Sequence, residues 1–557
     1  MEREYTKTEK VASKKMNWSR NEIGEIVFIF EQSKQSQRQF SRDKFIPQST
    51  LQHWLSKKKS IDCEPSLVSF FESPIGMAFL HRLVTSAHFA FTKDGVASIH
   101  NISTFLNLSG LSAFVGWSYS SNQKVSKEMD NLIIEFEKRV KPELAKNMPT
   151  KIMTLAEDET FHPEVCVVSM EPVSNYIVVE KYVDNRKAET WNEVVLEGLK
   201  DIPVKVIQVT SDEGKGLIKH TTNGLNAHHS PDCFHVSYEI GKGTSGALAS
   251  SVRKAEKEYV SMIKETENEI NKEENYNNLN KRTIDCHPDF STRIKTSKNK
   301  ENIAKLKWEK SKQNQEMVLT SRREIGKIYH PYNPETGTKQ DSEKISELLE
   351  SCFENIRSAT TGLSEQCKQK VEKAYRVVPD MVATIAFYFI MIDVFMDNMK
   401  ISPFDKLLMK AYLIPAFYLQ QVASKEKDVQ RKSDILKISQ ELLTIINSRD
   451  GPFFEYTQKE VEKLEKAAKE CAQIFQISSS CVEGRNAQLS LRHHGIHKLS
   501  THSLKAQTIM HNYYRRTKDG KTPAEKFFEG KHPDLFQWIL ENIDYPVRPR
   551  KHLSKVA

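Results

Sequence analysis

Cysteine is sparse in this sequence and is not arranged for metal binding. The eight cysteines are scattered, and no two of them form the CxxC pair of a zinc or redox site. We therefore predict reduced cysteines in the core of a cytosolic protein, because secreted proteins usually carry disulfide frameworks. The first ten residues, MEREYTKTEK, lack the apolar stretch of a secretory signal. The sequence thus predicts a cytoplasmic protein.

Long apolar runs are also missing. The longest, residues 381–396, is shorter than a membrane span and contains Asp393, so we predict a buried helix there. No internal repeat stands out. The 557 residues are enough for several domains. A net charge of +9 favours an anionic partner, although only modestly, because lysines also decorate ordinary surfaces.

The N-terminal region, residues 1–60, has the pattern of a helix-turn-helix DNA-binding domain. We predict a helix that ends near Phe40, a turn at residues 44–47, and a second helix over residues 49–55, capped by Ser49 or Thr50. Amide side chains can read adenine edges and lysines can contact phosphate. The predicted DNA-binding residues are Gln48, Thr50, Gln52, His53, Lys57 and Lys58. The alternative is a helical packing module with solvated lysines.

The remaining chain changes its periodicity twice. Residues 61–148 have a helical pattern, and we predict that they form either a second DNA-binding domain or a helical brace domain. Residues 149–251 contain short β-rich runs, with a helix before the fourth strand and a fifth strand or short element at 231–240. Residues 252–475 read as a helical insertion with long solvated helices, and residues 476–557 as a last helix and a basic C-terminal region. The fold class is therefore α/β, a mixed sheet with a large helical insertion.

Three carboxylates carry the predicted chemistry. Asp158 and Asp212 each end a predicted strand, and Glu483 opens a helix far downstream. Carboxylates that converge from separate elements bind hard cations such as Mg²⁺ or Mn²⁺, and two such ions can drive phosphoryl transfer. Because strand side chains alternate, Glu157 and Glu159 should face away from Asp158. The plainer interpretation is a solvated strand end or a helper charge for Glu157 and Glu159. It is a helix N-cap for Asp212 and a surface glutamate for Glu483.

Several arginines and histidines are candidates for phosphate contacts. Arg485 and Arg492 follow Glu483 on the same predicted helix, and we predict that they bind DNA phosphate. Two pairs of adjacent histidines, at 228–229 and 493–494, are poorly placed to share a zinc ion, so phosphate contact or surface exposure is predicted instead. The cluster at residues 285–287 is interpreted as coincidence.

The order of these elements resembles the DDE transposases of bacterial insertion sequences. The resemblance rests on Asp158, on Asp212 within TSDEGKGL, and on CVEGRNAQLSLRHHG followed by HNYYRRTKDGKTPAEKFF, where Val482, Glu483 and Asn486 reproduce a V-E-x-x-N context. It implies a ribonuclease H-like core in which Asp158, Asp212 and Glu483 are the catalytic residues and bind two ions of Mg²⁺ or Mn²⁺.

Such an enzyme would cleave transposon ends and join the 3′-hydroxyls to target DNA, using two metal ions. It would act on double-stranded DNA as a homodimer in a synaptic complex, in the cytoplasm and at the nucleoid of a bacterium. Two other functions fit the same residues: a ribonuclease H-like nuclease without strand transfer, and a non-catalytic DNA-binding protein derived from a transposase.

Overall fold

The computed structural model describes residues 18–161, 164–279, 288–399, 401–496 and 499–549. The chain forms two compact units: Met1–Met148 together with Ala487–Ala557, and Pro149–Asn486. The first boundary coincides with the predicted change of periodicity. The second falls inside a helix, so the predicted region 476–557 is divided between the two units.

The N-terminal part of the first unit is helical, as predicted. Its helices are α1 (Arg20–Gln32), α2 (Gln37–Asp43), α3 (Gln48–Lys59), α4 (Pro65–Phe71), α5 (Pro74–His88), α6 (Ile99–Leu108) and α7 (Tyr119–Asn147). The first three pack around a small core that includes Phe40, Leu51 and Trp54. The turn between α2 and α3 lies where the sequence predicts it.

The start of α3 corrects the predicted cap. Pro47 occupies the N-cap position and makes no side-chain hydrogen bond, so Ser49 and Thr50 lie inside the helix. The reason is that the ring of proline fixes φ near the helical value and lets the helix begin directly after it.

The second unit contains a five-stranded sheet. The strands are β1 (Lys151–Phe161), β2 (Val165–Glu171), β3 (Tyr176–Tyr182), β4 (Val204–Ser211) and β5 (His228–Pro231). Their order is β3-β2-β1-β4-β5. The first three strands pair antiparallel, whereas β4 runs parallel to both β1 and β5. Helix α8 (Ala188–Leu199) connects β3 to β4, as predicted, and α9 (Lys215–Lys219) follows β4.

The predicted fifth strand at residues 231–240 is wrong. The chain becomes helical at Cys233, and the fifth strand lies just upstream of it. The buried residues Cys233, Val236, Ile240 and Thr244 recur every three or four positions, which is helical spacing. The β-forming residues in this segment therefore follow the helical period, and the helical insertion begins about twenty residues earlier than predicted.

The insertion consists of long helices. They are α10 (Cys233–Leu279), α11 (Phe290–Ile328), α12 (Ser342–Thr360), α13 (Glu365–Tyr375), α14 (Val378–Asn398), α15 (Pro403–Leu408), α16 (Ile414–Lys425), α17 (Val429–Asn447) and α18 (Gln458–Gln473). Ion pairs Glu258–Lys307 and Glu265–Lys300 join α10 and α11. Residue numbers rise on one helix as they fall on the other, so the pair is antiparallel, as expected of long solvated helices.

One helical stretch among the described residues, Glu365–Asn398, is long and apolar enough to cross a membrane. A bent pair, Pro65–Phe71 with Pro74–Asp94, passes the same test only if both helices are taken as one span. Within the first stretch, α14 buries Met381, Ile385 and Ile392 in the main core. Residues 381–396 therefore form a helix with one face in that core.

The chain ends in α19 (Ser480–Ile496), α20 (Thr501–Tyr513), α21 (Pro523–Phe527) and α22 (Leu535–Asn542). Phe136 of α7 packs edge-on against Tyr513 and Trp538, which explains why the C-terminal helices belong to the first unit.

Candidate active site

Three aspartates lie at one level of the sheet. The register pairs Ala156 of β1 with Thr210 of β4, and Thr210 with Ser230 of β5. Side chains two positions further along these parallel strands share a face and a level. They are Asp158, Asp212 and Asp232. The sequence pointed to the first two, whereas Asp232 was missed because its segment was assigned to a strand.

Glu483, in the first turn of α19, reaches this face of the sheet. Ligand atoms of Asp158, His235 and Glu483 all lie within 4.8 Å of one another. His235 Nε2 is 3.4 Å from Glu483 Oε1. The fold thus brings together residues from β1, α10 and α19. Asp212 is not part of this three-residue set, and its Oδ1 accepts a hydrogen bond from the Gly214 N–H at 2.9 Å.

A buried ion pair fixes α19 over the sheet. Arg485 donates to both carboxylate oxygens of Glu180 at 2.6 Å, and both side chains are almost fully buried. The register pairs Glu180 with Val168 and Val168 with Asp158, so Glu180 lies on the same face as Asp158. Arg485 therefore positions the helix that carries Glu483.

Two further contacts hold the start of this helix. Asp232 Oδ2 accepts hydrogen bonds from the backbone N–H of Ser479, at 3.1 Å, and from its hydroxyl. Asn486 Nδ2 donates to Asp158 Oδ2 at 3.0 Å. Asp232 thus connects the end of the sheet to the residue before α19, and Asn486 orients the Asp158 carboxylate.

The electrostatics follow from burial and crowding. Burial raises the pKa of Asp158 to about 7, and the charges of Glu483 and Asp212 add to the rise. The close contact with the Glu483 carboxylate raises the pKa of His235 to about 9, with help from Asp232 and Asp158. The same contact lowers the pKa of Glu483. Negative charge therefore converges on one small region, and the protonated imidazole of His235 balances part of it.

The flanking glutamates lie on the other face of β1, as alternation predicts. Glu157 Oε1 accepts a hydrogen bond from Ser169 at 2.9 Å, and Glu157 Oε2 is 3.5 Å from His220 Nε2. Glu159 accepts from Arg186 and from Trp191 at 3.2 and 3.3 Å. Glu157 is buried, so its interpretation as a solvated strand end is wrong.

The packing of Arg485 and Arg492 contradicts the prediction that they bind DNA phosphate. Each arginine is only 2% exposed. Arg485 is engaged by Glu180, and Arg492 donates to the backbone carbonyls of residues 93–95 at 2.8 to 2.9 Å. Guanidinium groups that are buried and saturated with acceptors are structural, and they are not free to bind a DNA backbone.

The histidine pairs also differ from the prediction. His228 Nε2 lies 2.9 Å from the Thr384 hydroxyl, and His229 Nε2 lies 3.0 Å from the Ser211 hydroxyl. Burial lowers the pKa of His228 to about 4, so this ring is neutral. Neither residue is a surface phosphate contact. Of the second pair, His493 is buried and residue 494 is exposed. The cluster at 285–287 lies outside the described residues.

The predicted recognition residues lie on α3, in the first unit. Gln48, Gln52, His53 and Lys57 are exposed, and Thr50 is half-buried. Lys58 is half-buried as well, and its Nζ is 2.6 Å from Glu31 Oε2. The outward-facing side chains are available for a partner, and DNA binding by this helix remains a prediction.

Comparison with known protein families finds a similarity in the C-terminal part of the chain. Residues 409–555 match a family described as "Family of unknown function (DUF6399)". The matched span covers α16 to α22 and includes Glu483, but neither Asp158 nor Asp212. No curated protein matches the sequence.

Proposed function

We propose that this protein is a metal-dependent polynucleotidyl transferase of the DDE transposase type, built on a ribonuclease H-like core. The observation that carries the proposal is the convergence of Asp158 and Glu483, which are far apart in the sequence, within 4.8 Å. The strand order β3-β2-β1-β4-β5, with three antiparallel strands followed by parallel ones, supports such a core.

The donor set suits a divalent cation. The carboxylates of Asp158 and Glu483 would hold it, and Asp212, one residue past the end of β4, would supply a further oxygen. These oxygen donors favour Mg²⁺ or Mn²⁺, and His235, which is protonated beside Glu483, is not counted among the ligands. When bound, divalent ions would activate the attacking hydroxyl and stabilise the leaving oxygen of a phosphodiester.

The protein's own residues prepare this reaction. Arg485 and Asp232 fix α19, so that Glu483 is held in position before DNA arrives. The side chain of Glu483 is 36% exposed, which leaves it accessible to a DNA strand. The protonated ring of His235, next to Glu483, can donate a hydrogen bond to a phosphate oxygen as negative charge develops on it.

The test is a DNA cleavage and joining assay in Mn²⁺ and in Mg²⁺, on linear DNA that carries the sequences flanking the coding region. We expect the wild-type protein to nick this DNA and to join a pre-cleaved 3′-hydroxyl end to a plasmid. Asp212→Asn and Glu483→Gln should abolish both reactions and leave DNA binding intact. Glu462→Gln, an exposed glutamate on α18, is the matched control.

The assay also separates the alternatives. Nicking without joining would favour a ribonuclease H-like nuclease. DNA binding with neither reaction would favour a non-catalytic protein derived from a transposase. Full activity of the Glu483→Gln variant would overturn the proposed site.

A further inference from the structure

A cavity of about 590 Å³ lies beside the start of α19, within the unit Pro149–Asn486. Its walls come from the turn between β2 and β3, from α16 and α18, and from the segment that leads into α19. The volume is in the range of ligand-binding pockets, roughly 300 to 1,000 Å³. The site described above does not use this cavity.

The charged residues that line the cavity are all basic. The lining residues include Lys425 and Lys469, together with glutamines and serines, but no aspartate or glutamate. Donors from lysine, amide and hydroxyl groups, without a competing carboxylate, suit the oxygens of a phosphate. The cavity is therefore built for an anion that also offers hydrogen-bond acceptors.

The positive charges are only weakly neutralised. Lys425 Nζ is 3.3 Å from the neutral Gln476 Oε1. Lys469 Nζ lies 4.6 Å from the centre of the Phe417 ring and 3.4 Å from Glu465 Oε2. The contact with Glu465 joins two partly exposed side chains, and such a pair contributes little.

One carboxylate close to the cavity in sequence, that of Glu171, is occupied by hydrogen bonds. Glu171, at the end of β2, accepts hydrogen bonds from the backbone N–H groups of Val173 and Ser174 at 3.0 and 2.7 Å. Its charge is satisfied inside the turn between β2 and β3. The cavity therefore keeps a positive character.

The position of the cavity connects it to Glu483. Ser480 lines the cavity, and residues three apart on a helix are neighbours on one face. Ser480 and Glu483 are separated by about 4.5 Å along the helix axis. Successive nucleotides of one DNA strand rise roughly 3.4 Å along the duplex axis. The separation of Ser480 and Glu483 is on this scale, so a strand with one phosphate at Glu483 reaches the cavity within one or two nucleotides.

We propose that this cavity binds the sugar-phosphate backbone of DNA, one or two nucleotides from the phosphate that reacts, with Lys425 and Lys469 as its phosphate contacts. The proposal deepens the proposed function and takes the identity of the anion from it. Its physical basis, a basic cavity free of carboxylates at the start of the catalytic helix, is independent of the metal site.

The experiment measures binding of a fluorescent eight-nucleotide single strand to the full chain in EDTA, where no cleavage occurs. Lys425→Gln and Lys469→Gln should each weaken binding about 3- to 10-fold, and each should lower the slope of log K against log salt by about 0.7. Lys437→Gln, an exposed lysine on α17 outside the cavity, is the matched control and should bind as the wild type does. Thermal unfolding verifies that all variants are folded.

Two results would overturn the proposal. One is a folded double variant, Lys425→Gln with Lys469→Gln, that binds the strand as tightly as the control. The other comes from titrating the protein with inorganic phosphate alone: binding as tight as that of the strand would assign the cavity to a small free anion instead of DNA.

The outcome is separable from the proposed function. If the lysines support DNA binding but the wild-type protein neither nicks nor joins DNA, the cavity stands and the transferase fails. If cleavage depends on Glu483 while the lysine variants bind normally, the transferase stands and the cavity fails.

Discussion

Three consecutive carboxylates on β1 meet two different environments. On one face of the sheet, Glu157 and Glu159 have dedicated donors, namely Ser169 for the first and Arg186 with Trp191 for the second. On the other face, Asp158 accepts a hydrogen bond from Asn486, but burial raises its pKa and the nearby charges of Glu483 and Asp212 add to the rise. Burial also raises the pKa of Glu159, but its donors oppose the rise.

The groups that surround a carboxylate distinguish a structural residue from a candidate catalytic one. Both kinds are buried, and both lie on the same strand. Carboxylates that accept hydrogen bonds from dedicated donors stabilise the fold. Carboxylates that face one another repel electrostatically, and a bound cation would relieve this repulsion. Asp158 is of the second kind.

The largest expected effect concerns activity. Asp158→Asn should lower DNA cleavage in Mn²⁺ at least about 1,000-fold, because it removes a ligand that acts on the reacting phosphate. Glu159→Gln, the matched change on the opposite face, should stay within a few-fold of the wild type. Comparable losses in both variants would show that the two faces are not functionally distinct.

The next effect concerns stability. Arg485→Ala leaves Glu180 buried and unpaired, so we expect the free energy of unfolding to fall by about 3–5 kcal/mol. Arg186→Ala removes a pair whose arginine is 55% exposed, and should cost less than about 1 kcal/mol. Urea unfolding of both variants measures the difference. Equal losses would mean that α19 does not depend on this ion pair.

A third prediction uses pH. The pKa of Asp158 is about 7 in the folded protein against an ordinary 3.8, so the folded state binds more protons between these values. The free energy of unfolding should therefore fall as pH rises from about 4 toward 7 in EDTA. Asp158→Asn should reduce this decline. Measurements between pH 4 and 6 avoid His235, whose contribution to stability is lost only as pH rises through about 9. An unchanged decline in the variant would contradict the assignment.

The smallest effect is expected for Ser169→Ala. It removes the hydroxyl that donates to Glu157 at 2.9 Å, and should lower the free energy of unfolding by about 1–2 kcal/mol without altering Mn²⁺ affinity. Asn486→Ala removes the equivalent donor from Asp158 and should change Mn²⁺ affinity instead. Calorimetric titration with Mn²⁺ distinguishes the two variants, and a reversed pattern would break the comparison.

Local patterns predicted much of the fold. Short β-rich runs predicted β1 to β4, and alternation predicted the opposite orientation of Glu157 and Asp158. Helical periodicity predicted α8 and the long helices of the insertion. Local patterns failed at residues 231–240, where β-forming residues lie in a helix. The helical period of this segment becomes visible only when the buried positions are known. That error also hid Asp232 and His235, since a histidine in the first turn of a helix has no distinctive local signal.

The sequence alone supplies the residue types of the candidate sites: carboxylates at the ends of strands, a glutamate that opens a helix, and lysines on an N-terminal helix. The partners of these side chains are set by tertiary contacts. Arg485 and Arg492 are basic in any reading, yet only packing shows that both are buried against acceptors. The physical reason is that a side chain's charge is fixed by its chemistry, whereas its burial and its neighbours depend on contacts between distant segments.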